Sequence, residues 1–327
     1  MKAAVLHAFG QVPRWEETPA PVPADGEELV QVTAAPLNNI DKVRADGSHY
    51  SVRSGGDSGG LPAVSGVIGA GLLGDGQRVL FGSRCGTMAQ YSVASRPMTF
   101  PIPGGLDDAV AAAAWNPGMS AWLAFGWRCP IEPGQSVLVL GATGVTGKLA
   151  VQAARHFGAG RVVAAGRNEQ VLATLADLGA DATIQLAQPD QDLAAAFAAQ
   201  GGAQGGELGY DVVVDYLWGH PTEVFLSCIE HHDAVPRSGR VRLLHAGEMA
   251  GSVVALPGSV LRSAGLEVLG LGTGTMPPMD VITGMLGEIL GLLADGKLRI
   301  DVERVPLSSV GEVWARDQRG RRPVFIP

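Results

Sequence analysis

Apolar and polar positions alternate in two different ways along this chain, and the change falls near residue 136. Before it, short apolar runs are separated by turns rich in Pro and Gly, which is typical of a β-rich domain. After it, apolar strands alternate with stretches of helical periodicity, which predicts a parallel, doubly wound sheet. The chain is therefore expected to have an α/β fold that joins this sheet to a β-rich domain.

The individual elements are predicted from these runs. In the first region the strands are Ala3–His7, Glu28–Ala34, Gln77–Gly82 and Ala89–Val93, and a helix is expected over Asp107–Trp115. Asn116 is predicted to cap a new helix that holds Pro117 in its first turn. In the second region the strands are Ser136–Leu140, Arg161–Ala165, Ala182–Leu186, Tyr210–Asp215, Arg240–His245 and Leu266–Leu271, with later helices at Gln170–Leu178, Asp192–Gln200 and Pro221–Glu230. The tail is predicted to return to the first domain through a helix at Asp280–Ala294, a strand at Leu298–Val305, a short helix near Ser309–Asp317 and a strand at Pro323–Pro327.

A glycine turn connects the strand Ser136–Leu140 to the helix that follows it. Gly141, Gly144 and Gly147 come after this strand at three-residue spacing. The first permits a sharp turn, the second lets backbone N–H groups approach a pyrophosphate, and the third lets the helix pack closely on the sheet. The helix N-terminus adds unpaired donors and a partial positive charge. Turns of this kind also occur without ligands, but the order strand, turn, helix, strand predicts a dinucleotide site.

The end of the next strand bears on which dinucleotide is bound. NAD sites usually place Asp or Glu about 20 residues beyond the turn, where the carboxylate binds the ribose 2′-OH. This chain has Gly166, Arg167 and Asn168 instead. A guanidinium suits a 2′-phosphate, so we predict NADP(H) over NAD(H). The alternative interpretation is a solvated loop arginine.

Three later strand ends carry further candidates for the cofactor site. Ligands of doubly wound sheets lie beyond the carboxyl ends of the strands. These ends hold Asp215, then His245 and Gly247, and finally Gly272. They are expected to shape the site, and for His245 a role unrelated to the cofactor is an equally open interpretation.

Composition narrows the classes of protein that fit. The 327 residues are enough for two domains, and 46% hydrophobic against 17% charged residues indicates a well-buried globular chain. The formal net charge of −8 argues against a nucleic-acid partner or an anionic membrane surface. No run reaches the roughly 20 apolar residues of a membrane span, and the first residues show no cleavage signature, so a cytoplasmic protein is expected. The three scattered cysteines argue against disulfides and against a structural zinc cluster.

The chain resembles the zinc-independent quinone oxidoreductases of the medium-chain dehydrogenase/reductase superfamily over nearly its whole length. The resemblance rests on the motifs NNID, LPAVSGVIGAG, GQRVLF, NPGMSAW, GATGVTGKLAVQAARHFGAGRVVAAGRN, LADLGAD and DVVVD. It implies a GroES-like catalytic domain formed by residues 1–117 and 268–327, and a Rossmann domain formed by residues 118–267. It also implies NADPH-dependent reduction of quinones or α,β-unsaturated carbonyls, usually in a homodimer paired through the Rossmann sheet edge.

The resemblance further implies roles for individual side chains. Asn38, Asp41 and Tyr50 are expected near the substrate, where Asn38 and Tyr50 would orient or polarise its carbonyl oxygen. An alternative role for Asp41 is to fix the local loop, and an alternative role for Tyr50 is to pack against its neighbours. Ser120 is expected beside the nicotinamide. Arg322 is expected near a cofactor phosphate, and the alternative is that it belongs to a solvated basic face. The complete predicted cofactor set is Ser120, Gly141, Ala142, Thr143, Gly144, Val145, Thr146, Gly147, Gly166, Arg167, Asn168, Asp215, His245, Gly247, Gly272 and Arg322.

The sequence departs from zinc-using relatives at the positions of their metal ligands. Those relatives carry Gly-His-Glu where this chain has Val64, Ser65 and Gly66, and a cysteine near Asn38 that this chain lacks. Catalytic zinc needs about three protein ligands, so no catalytic metal is expected. Two alternatives to the quinone or enone reductase stay open: an alcohol or carbonyl dehydrogenase of the same fold, and a non-catalytic NADPH-binding protein such as a redox sensor.

Overall fold

The computed structural model describes residues 1–49, 52, 60–201, 209–229, 240–316, 318 and 320–327. The chain divides into two units, one formed by residues 1–116 and 283–327 and the other by residues 117–282. The division at 282 lies beyond the predicted boundary at 267, because the strand Leu266–Gly270 belongs to the sheet of the second unit.

The strands and helices follow in chain order. The first part of the chain contains β1 (Lys2–Leu6), β2 (Arg14–Glu17), β3 (Glu27–Pro36), α1 (Asn39–Ala45), β4 (Ala63–Val64), β5 (Ile68–Leu72), β6 (Arg78–Gly82), β7 (Tyr91–Ser95), β8 (Thr99–Pro101) and α2 (Asp108–Leu123). The middle contains β9 (Ser136–Leu140), α3 (Val145–His156), β10 (Arg161–Gly166), α4 (Glu169–Leu172), β11 (Ala182–Gln185), α5 (Asp190–Gln200), β12 (Val212–Asp215), α6 (His220–Ile229), β13 (Val241–His245), α7 (Gly258–Ser263) and β14 (Leu266–Gly270). The last part contains α8 (Met279–Ala294), β15 (Val302–Pro306), α9 (Val310–Ala315) and β16 (Arg322–Ile326).

The second unit is built on a parallel sheet of the Rossmann type. Its strands lie in the order β11-β10-β9-β12-β13-β14, so the first strand in sequence is central and the order reverses beside it. The strands are apolar because both faces of the sheet are covered by helices: β12 is buried along its whole length. The α/β prediction is confirmed, and all six predicted strands are present.

The first unit is β-rich, as the Pro- and Gly-punctuated pattern predicts. The long strand β3 is its centre, because it pairs antiparallel with β5, β7 and β16. The apolar residues of these strands pack on α9, where Val310, Val313 and Trp314 are buried. The strand β16 thus brings the tail of the chain back to its beginning, as predicted.

Three predicted elements differ from the structure. Asn116 does not cap a new helix: α2 runs without a break from Asp108 to Leu123 and contains Pro117 in its interior. Proline removes one helical hydrogen bond but need not end a helix when the surrounding residues, here largely alanine, are buried. The predicted helix Gln170–Leu178 is two pieces, α4 and a 3₁₀ turn, and the strand predicted from Leu298 begins only at Val302.

Candidate functional site

The carboxyl ends of the strands of the second unit meet in register at one edge of the sheet. Leu140 at the end of β9 lies beside Ala165 of β10 and Asp215 of β12. His245, the last residue of β13, lies beside Asp215. The sheet therefore brings together the segments that the sequence predicts for the cofactor.

Two glycines of the turn after β9 have the predicted roles. Gly141 has φ +90°, a conformation that side chains rarely adopt, so the sharp turn out of the strand depends on glycine there. A Cβ on Gly147 would lie 2.2 Å from the carbonyl oxygen of Gly141 and 2.5 Å from the Cα of Ala142. Helix α3 therefore packs against the turn with no room for a side chain.

The remaining glycine of the turn, Gly144, faces open space at the start of α3. A Cβ on Gly144 would meet only the Gly141 carbonyl oxygen, at 3.4 Å. Gly144 is the N-cap of this 12-residue helix and has no side chain that could accept a hydrogen bond. The N–H groups of Val145 and Thr146 are therefore not capped by that residue's side chain. Open backbone, free donors and the positive end of the helix dipole fit a pyrophosphate.

The end of β10 adjoins this turn. A Cβ on Gly166 would lie 2.3 Å from the Cγ2 of Thr143, so only glycine lets the two segments approach so closely. Arg167 follows with an exposed side chain, for which the described residues supply no hydrogen-bonding or ionic partner. Asn168 caps α4 by accepting the N–H of Val171 through Oδ1 at 3.2 Å. Of these residues, Arg167 is thus the group available to an anion.

Asp215 organises the loop after β12. Its Oδ1 accepts the N–H groups of Leu217 at 2.8 Å and Trp218 at 3.0 Å, and its Oδ2 accepts the hydroxyl of Thr222 at 2.6 Å. The side chain is fully buried, and burial raises its pKa although these hydrogen bonds favour the ionised form. These hydrogen bonds hold the loop after β12, and the contact of Asp215 with the cofactor stays a prediction.

The loop that Asp215 holds contacts the glycine turn and the loop after β13. A Cβ on Gly141 would lie 3.2 Å from Leu217 and 3.4 Å from Tyr216. Ser120 of α2 is near the buried Tyr216 hydroxyl, whose pKa is raised by burial. Gly247 approaches the Tyr216 carbonyl so closely that a Cβ would lie 2.9 Å from its oxygen. Ser120, Tyr216 and Gly247 are thus grouped beside the glycine turn.

Trp218, which the sequence pattern does not indicate, stacks on His245. The two ring centroids are 4.4 Å apart and the planes differ by 29°. His245 is 28% exposed, and its Nδ1 has no partner among the residues described. Gly272 lies close along the chain, since the N–H of Leu271 donates to the His245 carbonyl at 2.9 Å. The signal that points to Trp218 is a conformation: its φ is +54°, and no other described non-glycine residue has a positive φ.

In the first unit, Asn38 and Asp41 form the start of α1. The Asp41 carboxylate accepts the N–H of Asn38 at 2.7 Å and the N–H of Val67 at 3.0 Å, so it joins the helix to the segment before β5. Both residues are buried. No partner of the Asn38 side-chain amide meets hydrogen-bond geometry among the described residues, although the amide lies close enough to the Asp41 carboxyl to oppose the rise of its pKa.

Arg322 lies inside the first unit and is 2% exposed. Its Nη1 donates to the carbonyl of Leu37 at 2.7 Å and to Oε1 of Gln318 at 3.2 Å. Burial raises the pKa of Asp41 to about 6, and the two backbone hydrogen bonds and the charge of Arg322 oppose this rise. The charge of Arg322 thus favours the ionised form of the Asp41 carboxyl, and the contact of Arg322 with a cofactor phosphate stays a prediction.

A cavity of roughly 350 Å³ also lies in the first unit. Its lining combines apolar side chains with a few polar groups, including Leu6, Phe9, Asp41, Leu61, Ser65 and Cys85. Such a mixture suits a small molecule with an apolar body and one or two polar atoms. Tyr50, the remaining predicted catalytic residue, is outside the described residues.

The described residues lack both a metal-binding cluster and a membrane-spanning helix. They contain no group of three or more His, Cys, Asp or Glu side chains placed to hold a metal ion. Nor do they include a helix whose length and apolar character would let it cross a membrane.

Quinone reductases recur among the known proteins to which this chain is similar. The profile of a family described as zinc-binding dehydrogenase matches residues 145–241. A probable NADPH-dependent quinone reductase of Emericella nidulans, tdiC, is 25% identical, with all of both chains covered. The polyketide synthase system protein NorB of Streptomyces orinoci is 30% identical over 86% of this chain, which spans only 12% of NorB. The crystal structure of the quinone oxidoreductase from Thermus thermophilus, also solved with NADPH, is 26% identical with a TM-score of 0.76 over all of both chains.

Proposed function

Because the chain belongs to the quinone oxidoreductase family of the medium-chain dehydrogenase/reductase superfamily, we propose that it is an NADP(H)-dependent reductase of quinones or α,β-unsaturated carbonyls. The observation that carries the proposal is the glycine turn after β9, which offers open backbone at Gly144 and close packing at Gly147. The cofactor is NADP(H). The specific substrate is inferred from the relatives, whose names include quinones.

The residues that would hold the cofactor lie in the second unit. The backbone from Gly141 to Gly147, with Ala142, Thr143, Val145 and Thr146 between the glycines, binds the pyrophosphate. The Arg167 guanidinium binds the 2′-phosphate. Ser120, His245, Gly247 and Gly272 shape the part of the site on the other side of the turn. Gly166 and Asn168 fix the backbone around Arg167, and Asp215 fixes the loop that faces the turn.

The chemistry is divided between the cofactor and the protein. When bound, NADPH supplies a hydride to a carbon of the substrate, and negative charge grows on the substrate carbonyl oxygen. The protein orients the substrate and places donors toward that oxygen. By the family resemblance, the buried side-chain amide of Asn38 is one candidate donor and Tyr50 is the second. Asp41 keeps Asn38 in place through the backbone hydrogen bond at 2.7 Å.

We propose that the reaction does not use zinc, because the residues at the positions of the relatives' zinc ligands are poor ligands. Val64, Ser65 and Gly66 stand where zinc-using relatives have Gly-His-Glu, and neither valine nor glycine offers a ligand atom on its side chain. This argument disfavours the alternative of an alcohol or carbonyl dehydrogenase. The other alternative, a redox sensor that binds NADPH without turnover, is separated from the proposal by the assay below. That the protein is a cytoplasmic homodimer stays a prediction.

The test is oxidation of NADPH by the purified protein against a panel of quinones, enones and aldehydes. We expect turnover with quinones or enones, with NADPH strongly preferred to NADH, and little with simple aldehydes. Turnover of aldehydes and alcohols alone would favour the dehydrogenase. NADPH binding without turnover of any member would favour the sensor, and the absence of NADPH binding would overturn the whole proposal.

The exposed guanidinium of Arg167 gives a second test. Replacing it by alanine removes charge-assisted hydrogen bonds to a 2′-phosphate, which are worth about 1.5–3 kcal/mol. Arg167→Ala is therefore expected to lower the affinity for NADPH more than tenfold and to leave that for NADH nearly unchanged. Fluorescence titration with both nucleotides measures this. Arg262, a basic residue near the end of α7, serves as the control for loss of charge. An unchanged NADPH/NADH affinity ratio in Arg167→Ala would remove Arg167 from cofactor selection.

A further inference from the structure

The loop between β12 and α6 holds a tryptophan in an uncommon backbone conformation. Trp218 has φ +54°, a region that non-glycine residues rarely occupy. Asp215 maintains this turn, because its Oδ1 accepts the N–H groups of both Leu217 and Trp218. Such conformations persist only where the surrounding structure imposes them, and they concentrate at functional sites.

The loop after β13 fixes the position of the indole from a second side. The N–H of Ala250 donates to the carbonyl of Leu217 at 2.7 Å. A Cβ on Gly219 would lie 3.0 Å from the carbonyl oxygen of Ala250, so the two loops are in close contact. The imidazole of His245 stacks on the indole with centroids 4.4 Å apart. The result is a pair of stacked aromatic rings, which we call the Trp218–His245 platform.

The platform lies next to the glycine turn. Leu217, which precedes Trp218, is 3.2 Å from the position of a Cβ on Gly141. Asp215 pairs with Leu140, the last residue before that turn, and with His245 on its other side. The indole is only partly buried, although its body packs on the core of the unit. The platform thus lies one strand away from the turn, and both of its residues are partly exposed.

The position of Arg167 indicates which end of the dinucleotide faces this platform. Arg167 follows β10, on one side of β9, and the platform follows β12 and β13, on the other side. With the 2′-phosphate of the adenosine half at Arg167 and the pyrophosphate at the turn, the half that extends over β12 and β13 is the nicotinamide half. Aromatic rings favour stacked arrangements, so an indole can hold a nicotinamide ring.

We propose that the Trp218–His245 platform binds the nicotinamide nucleoside half of NADP(H) and sets its position. This inference rests on the proposed function, and it assigns to Trp218 a contact that neither the family motifs nor the sequence pattern indicates. Asp215 then acts through Trp218, by holding its backbone.

The test compares two ligands that differ only in the nicotinamide. NADPH carries both halves, and 2′-phospho-ADP-ribose retains the 2′-phosphate and the pyrophosphate but lacks the nicotinamide ring. Trp218→Ala is expected to lower the affinity for NADPH about fivefold to tenfold and to change the affinity for 2′-phospho-ADP-ribose less than twofold. The NADPH affinity of Trp218→Phe, which keeps a ring, should lie between the affinities of Trp218→Ala and the wild type. Isothermal titration measures all of these affinities without turnover.

A matched control and a second measurement separate contact from structural damage. Trp127 is a tryptophan of the same unit with 43% exposure, and Trp127→Ala is expected to leave both affinities unchanged. Energy transfer from tryptophan to bound NADPH should fall in Trp218→Phe and persist in Trp127→Phe. Equal weakening of both ligands, or no weakening of NADPH, would overturn the platform while the proposed function stands. A wild-type protein that binds neither ligand would instead overturn the proposed function. If Trp218→Ala does not fold, the two measurements on Trp218→Phe decide.

Discussion

Gly147→Ala is expected to destabilise the second unit by about 3 kcal/mol, because the new methyl group has no space. Its Cβ would lie 2.2 Å from the carbonyl oxygen of Gly141 and 2.5 Å from the Cα of Ala142. Both neighbours are backbone atoms, so they cannot rotate away as the end of a side chain would. Either α3 separates from the turn or the turn changes shape, and the pyrophosphate site is lost in both cases. Urea unfolding and NADPH titration of the variant measure the two effects.

Two other glycines provide the controls for this prediction. Gly287 is in the interior of α8 with no atom within 4 Å of a Cβ, so Gly287→Ala should be neutral or stabilise by up to about 1 kcal/mol. Gly144→Ala should lower stability by less than about 1 kcal/mol, since its Cβ has only one neighbour, at 3.4 Å, and alanine is a poorer N-cap than glycine. It should still weaken NADPH about tenfold or more, because the methyl group occupies the space that the phosphate needs. A fully stable Gly147→Ala protein that binds NADPH normally would contradict the packing argument.

Removal of the Asp41 carboxylate is expected to destabilise the first unit by about 3–5 kcal/mol. Asp41→Ala leaves the guanidinium of Arg322 buried without its counter-charge, and it removes the acceptor of the Asn38 and Val67 N–H groups. Asn38 would lose its place at the start of α1, so kcat/KM should fall as well. Chemical unfolding and the NADPH assay measure the two losses.

A double-mutant cycle and the pH dependence of the free energy of unfolding test how Asp41 stabilises the first unit. Asp41→Ala with Arg322→Met should cost less than the sum of the two single variants, because no charge is then left unpaired. The pKa of Asp41 is about 6 in the folded protein against an ordinary value of 3.8, so its contribution to stability is complete below 3.8 and is lost as pH rises through 6. The wild type should therefore lose about 1 kcal/mol relative to Asp41→Ala between pH 5 and pH 7. Additive single variants would contradict the pairing, and parallel pH profiles would contradict the raised pKa of Asp41.

The fold was largely predictable because its signals are local. The apolar strands of the second unit and the glycine turn are each contained in a few consecutive residues, and the structure confirms their order. The errors arose where burial outweighs local preference. Pro117 is a helix breaker by propensity, yet α2 continues through it among buried alanines. The predicted boundary at residue 267 falls inside Leu266–Gly270, although the sequence already predicts a strand of the second region there.

The site was only partly predictable because side-chain partners are not local. The sequence indicates Asp215 and Arg322 as polar groups near a site, but both are occupied by buried hydrogen bonds that depend on tertiary packing. Trp218 gave no signal at all, since an aromatic residue in a loop has many explanations. Its positive φ and its stacking on His245 become visible only when the backbone of two loops is known.

The pairing of β16 with β3 has a consequence for the order in which the protein folds during synthesis. Phe325 lies beside Ala35 and Val324 beside Pro36, so the central strand of the first unit obtains one of its neighbours nearly 290 residues after it leaves the ribosome. Residues 117–282 are continuous and need no such partner. The dinucleotide-binding unit can thus close while the nascent β-rich unit still presents an unpaired strand edge, a state in which chaperones protect newly made chains from association.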